Sequence, residues 1–113
     1  MFVSTRMNAD IYVIALRGQL GHSAKLGLEV AILGAQEAHA RHIILDFSDV
    51  TWVDSAGLGK LLLTYHHLNR KKVGISIVNP KPEVHEVLEL VKLSQIVPIY
   101  LSIDDAVHAH ARL

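Results

Sequence analysis

Apolar positions along the chain fall into two rhythms that take turns. Residues 11–16 (IYVIAL) are apolar almost throughout, the pattern of a strand buried on both faces. Residues 2–7 precede it and can pair with it through a turn at Asn8-Ala9-Asp10. The pattern breaks over Gly18 to Gly21, and Ser23 can then cap a helix reaching about His39. Ala24, Leu28, Ala31, Ile32 and Ala35 form its apolar stripe at helical spacing. Residues 42–47 (HIILDF) predict a second buried strand, with Asp49 serving a turn after it. Leu58, Leu61, Leu62, Tyr65 and Leu68 define the next helix, which ends in Asn69-Arg70-Lys71-Lys72, cations that suit the negative end of its dipole. Residues 73–78 predict a third buried strand. Pro82 then starts a helix whose stripe is Val84, Val87, Leu88 and Val91. Residues 97–101 predict a short last strand that Pro98 confines to a sheet edge. Ser102, with Asp105 three residues on, resembles a capping box for a final helix to about Arg112.

Strands and helices that alternate in this way imply an α/β fold with right-handed crossovers. The prediction is a mixed, mostly parallel sheet of about five strands with about four helices, the extra N-terminal strand running antiparallel. At 113 residues, half of them hydrophobic, the chain fits one domain over 1–113 with a substantial core. Lys and Arg number 11, as do Asp and Glu, so the basic excess of a general nucleic-acid binder is missing. The sequence holds no cysteine, which excludes disulfides and thiolate chemistry and is compatible with a reducing cytosol. No secretory signal is recognisable at Met1 to Arg6, and apolar runs fall far short of the roughly 20 residues that span a bilayer. A soluble protein with no membrane insertion is expected.

Candidate chemistry narrows quickly. The sequence carries neither a phosphate-binding P-loop nor a dinucleotide fingerprint, and Ser55 lacks the glycine frame of a nucleophile elbow. Among eight histidines, His66 and His67 point about 100° apart on their helix. His108 and His110 also fall on different faces, and no metal-binding spacing occurs, so no metal site or cofactor is predicted. Asp46 and Asp49 would need acidic neighbours on the preceding strand to form a phospho-acceptor cluster, but that strand ends in Leu16-Arg17-Gly18. No second member of a catalytic set stands near Ser55 in sequence, and no enzyme activity is expected.

What remains is the stretch VTWVDSAGLGKLL, residues 50–62. If a helix starts here, Ser55 sits beside free backbone N–H groups and the positive end of the dipole, a setting that accepts an anion, including a phosphate on the serine itself. Gly57 and Gly59 each cost about 1 kcal/mol relative to alanine in a helix. Two readings of them stand side by side. They can permit tight packing behind an ordinary Asp or Ser cap, or they can leave backbone bare for another protein's surface. On the second reading a bulky residue at position 57 would weaken binding and spare the fold.

The residues 43–62, IILDFSDVTWVDSAGLGKLL, resemble the STAS domain, the family of bacterial anti-sigma factor antagonists and of cytoplasmic domains in sulfate transporters. Support comes from ALRGQL before the first helix, VNPKPEVHEVLEL, and PIYLSIDDAV near the end. The resemblance implies a small α/β domain of mixed sheet and helices. It also implies that Ser55 is phosphorylated by a serine protein kinase that is itself the anti-sigma factor. The unphosphorylated antagonist binds that partner in the cytoplasm, phosphorylation releases it, and a phosphatase restores binding. Carried onto this chain, the partner surface comprises Asp54, Ser55, Ala56, Gly57 and Gly59, with Gly21, His22 and Ser23 added if the two helix starts are neighbours. The family often has Asp where this chain has Gly21, and a Thr-Gly pair where it has Val91-Lys92. Other members of the family imply an alternative: a constitutively bound subunit of a lipid-transport ABC complex or a stress-signalling scaffold.

Overall fold

The computed structural model describes residues 2–21 and 25–111. Strand β1 (Phe2–Asn8) turns through Ala9, whose φ is 57°, into β2 (Ile11–Leu20). Helix α1 (Lys25–Glu37) leads to β3 (His42–Val53), and α2 (Ser55–Arg70) leads to β4 (Gly74–Val78). Then come α3 (Pro82–Leu90), a single 3-10 turn at Leu93–Gln95, β5 (Ile99–Tyr100) and α4 (Ile103–Ala111). The sheet order is β1-β2-β3-β4-β5, with β1 antiparallel and every other pair parallel. This is the predicted mixed, mostly parallel sheet with four helices. The proposed cap at Ser23 lies outside the described residues.

Each parallel crossover from β2 to β5 steps to the adjacent strand in the same direction, so right-handed connections put α1, α2 and α3 on one face. There Leu28, Ala35, Leu61, Leu68, Val84 and Leu88 pack on Ile14, Leu16, Ile43, Leu45, Phe47 and Ile77. Each fully buried leucine, isoleucine, valine or phenylalanine among them contributes about 1.5–3 kcal/mol. The opposite face is smaller. Ala106 of α4, with Ile103 and Val107 beside it, covers Ile11, Val13, Ile44 and Val78. Leu28, Ala31, Ile32 and Ala35 of the predicted α1 stripe and the predicted α2 stripe are therefore inward faces, Ala24 lies outside the described residues, and Pro82 is the first residue of α3.

Two strands run longer than their apolar pattern predicts. Strand β2 does not break at Gly18 but continues to Leu20 with Gly18 at φ 96°. Strand β3 does not stop at Phe47, and Asp49 does not serve a turn; it lies in the strand opposite Arg17. The reason is a pair of β-bulges. Ala15 to Arg17 spans Asp46 to Asp49, and Gly18 to Gln19 spans Val50 to Trp52, so β3 gains one residue at each irregularity. Phe47, Val50 and Val53 thus all reach the same core at a spacing of three rather than two. The last strand is shorter than predicted. Pro98 stands just outside β5, and its carbonyl accepts from the Ile77 amide at 2.9 Å at the edge of the sheet.

Candidate functional site at the start of α2

The extended ends of β2 and β3 carry the chain to the start of α2. The Asp54 amide donates to the Leu20 carbonyl at 3.2 Å, which ties the helix entry to the last residue of β2. Asp54 itself is the N-cap: its backbone is extended (φ −95°, ψ −179°) and its Oδ1 accepts from the Gly57 amide at 2.9 Å. The Asp-before-serine order thus has a local cause, and it frees Ser55 from capping. Ser55 is the first residue of α2, exposed, and its hydroxyl makes no hydrogen bond among the described residues. The amides of Ser55 and Ala56 have no intrahelical acceptor by helix geometry. A hydroxyl free to react, beside open amide donors and the positive end of a 16-residue helix, can carry or meet an anion.

The three glycines of the proposed surface differ sharply. Gly57 is buried. A Cβ there would collide with the Leu20 carbonyl, lying 2.9 Å from its carbon and closer still to its oxygen. The expectation that Gly57 bares backbone for a partner is corrected: it lets the first turn of α2 sit directly on the end of β2, and a bulky replacement must move the helix. Gly59 has open space around its Cβ position, so it does leave helix backbone uncovered. Gly21 lies under Asp54, whose carboxylate fills the volume that a side chain at position 21 would need. The two helix entries are therefore neighbours on the Gly21 side. His22 and Ser23 lie outside the described residues. The structure brings Asp54, Ser55, Ala56, Gly59 and Gly21 together and turns Gly57 inward.

Other candidate groups are dispersed. His66 meets the edge of Tyr65, His67 approaches Gln36, and the Nδ1 of His108 lies 2.9 Å from the Asp104 carbonyl. Among the described residues no cluster of three His, Cys, Asp or Glu side chains could hold a metal ion. The Asp46 carboxylate accepts from Ser48 two residues on, from the amide at 3.0 Å and the hydroxyl at 2.5 Å, and Asn79 donates to that hydroxyl at 3.1 Å. These bonds hold the first bulge of β3.

Sequence reasoning did not single out one polar group, His42 at the start of β3. Its Nε2 lies 2.9 Å from the hydroxyl of fully buried Ser76, and its ring stacks on His110 at 4.5 Å between centroids. Burial, and then the neighbouring His110, push its pKa down to about 4 against a weaker opposing pull from Asp10. The sequence signal was a histidine opening a buried strand, which must find a partner inside.

The STAS domain family profile matches residues 3–106. The chain belongs to the STAS domain family. Over 107 residues it is 30% identical to a protein of Paenibacillus polymyxa named anti-sigma F factor antagonist, covering 91% of this chain and 86% of that protein. The crystal structure of an anti-sigma factor antagonist from Mycobacterium paratuberculosis superposes with a TM-score of 0.84 at 26% identity, covering 96% of this chain and 92% of that one. A protein from Thermotoga maritima shares the fold with a TM-score of 0.85 at 22% identity, covering 95% and 92%. Among the described residues no helix is long and apolar enough to cross a membrane.

Proposed function

We propose that this STAS domain is an anti-sigma factor antagonist that works by partner switching in the cytoplasm. Unphosphorylated, it binds an anti-sigma factor that is also a serine kinase. Phosphate on Ser55 breaks the complex, and a phosphatase renews it. The observation that carries the reading is the exposed, unbonded Ser55 hydroxyl on the first turn of α2, beside a cap that Asp54 already supplies. The named function of the Paenibacillus polymyxa relative points the same way.

The exposed Asp54, Ser55 and Ala56, with the open Gly59, form the contact surface in this reading. A phosphate adds about −1.5 to −2 charges there. Inside a docked interface that charge loses water and meets the Asp54 carboxylate. A penalty of about 3 kcal/mol weakens binding more than a hundredfold. The helix terminus tolerates the phosphate within the domain, so binding is lost and the fold is kept.

Incubation with the cognate kinase and ATP, read by intact mass, is the direct test. Wild type should gain one phosphate and Ser55→Ala none, while Ser55→Ala still binds the kinase. Equal labelling of Ser55→Ala removes Ser55 as the acceptor. Ser55→Asp should weaken calorimetric affinity by about two orders of magnitude; unchanged or tighter binding overturns the charge argument.

A further inference from the structure

Helices α1 and α2 follow successive parallel strands, so they run side by side in the same direction. Two polar bridges join them. The Lys60 ammonium meets the Glu29 carboxylate, and one heptad further on in both helices Gln36 Nε2 lies 3.3 Å from His67 Nε2. Between the bridges the surface is apolar. Ile32 and Thr64 form a floor, each only 7% exposed, while Leu33 and Leu63 stand as walls at 55% and 67% exposed. The resulting groove has a volume of about 430 Å³. Helix α3 and helix α4 pack elsewhere, on the sheet beyond α2 and on its opposite face. Leu33 and Leu63 both lie off the inward stripes of their helices, so core packing does not explain them.

We propose that this groove docks an amphipathic helix of a partner protein, one that carries carboxylates at the Arg70 end. The shape argues for a helix. Between the bridges, exposed Leu33 and Leu63 flank the Ile32 and Thr64 floor along two parallel helices, an apolar strip that the apolar stripe of an amphipathic helix can fill. An acyl chain calls for an enclosed cavity, whereas this groove lies open between its two walls. Charge fixes the polarity of the partner. At one end the Lys60 ammonium is already paired with Glu29. At the other, Arg70 lines the groove, is followed by Lys71 and Lys72, and makes no ion pair among the described residues. A partner carboxylate placed there gains a charge-assisted bond that nothing within the described chain supplies. This surface is independent of Ser55 and needs no phosphorylation.

The test uses the whole chain, isotope-labelled, and a synthetic peptide of about 18 residues, helical with leucines at i, i+3, i+4 and i+7. Glutamates are placed at one end, then at the other, and are replaced by lysines in control peptides. One acidic peptide should shift the amide signals of Leu33, Leu63, Thr64 and Arg70 and bind at least about tenfold tighter than its lysine control. Leu63→Asp, at an exposed site, should keep the circular dichroism of wild type and lose that binding. Arg70→Glu should invert the preference for acidic over basic peptide. Four outcomes overturn the proposal. Either no peptide perturbs the groove, or acid and lysine versions bind alike, or oleate but no peptide shifts these signals, or sedimentation shows a second copy of the chain already filling it.

Discussion

Strand β3 has a polar region at each end, and the two are built on opposite plans. At its start, His42 turns inward, bonds to buried Ser76 and stacks on His110. At its end, Ser55 points into solvent and bonds to nothing within the described chain. The inward group is satisfied at home and stabilises the fold. The outward group is left unbonded because its neighbours do the structural tasks: Asp54 caps the helix, and Gly57 seats it on β2. A titratable or nucleophilic side chain is therefore informative less by its type than by whether its bonding is already complete.

The largest effect expected from breaking this division is at Gly57. A methyl group there meets backbone rather than a flexible side chain, so the entry of α2 must shift. Gly57→Ala should cost about 1–3 kcal/mol as overpacking, and larger residues more. Thermal melts should show a drop of about 4–8 °C for each kcal/mol in a domain of this size. A Gly57→Ala protein as stable as wild type would mean that Gly57 belongs to the outward surface after all.

The same comparison shows what could be read from the sequence. Strand and helix order, the stripes of α1 and α2, the Pro82 helix start and the Ser102 cap of α4, seen in the Asp105 amide bond at 3.1 Å, all follow from periodicity and local chemistry. So does the placement of Ser55 on the first turn of α2. The bulges of β3 were not legible, because Phe47, Val50 and Val53 share a face only once the register slips against β2. The role of Gly57 was equally hidden. A glycine that bares backbone and one that accepts a close carbonyl have the same local signature, and only the position of Leu20 separates them. His42 found its partners 34 and 68 residues away, at Ser76 and His110, beyond any local pattern.

The inward end gives the next effect, seen in pH. The His42 pKa falls from 6.5 in the unfolded chain to about 4 in the fold. Between those values the unfolded state binds the extra proton, so His42 contributes full stability above about pH 6.5 and loses it as pH falls toward 4. Its partial exposure limits the contribution to about 1–2 kcal/mol. Denaturant unfolding at pH 7 and pH 5 should show this loss in wild type and a flatter profile in His42→Asn. Equal slopes for the two proteins would show that His42 is not buried neutral, and the contrast between the two ends of β3 would lose its electrostatic half.

The smallest effect separates stability from contact within one helix turn. Gly59 has open space where its Cβ would stand, so Gly59→Ala keeps every packing contact and removes a helix-weakening residue. It should raise stability by about 0.5–1 kcal/mol, opposite in sign to Gly57→Ala two residues earlier. On the proposed contact surface the new methyl group replaces bare backbone, so affinity for the anti-sigma factor should fall as stability rises. Melting and calorimetry on the one variant measure both. Higher stability with unchanged affinity would place Gly59 outside the interface and confine the contact to Asp54, Ser55 and Ala56. Lower stability would mean that the first turns of α2 are strained throughout, and that the outward end of β3 is no freer than the inward one.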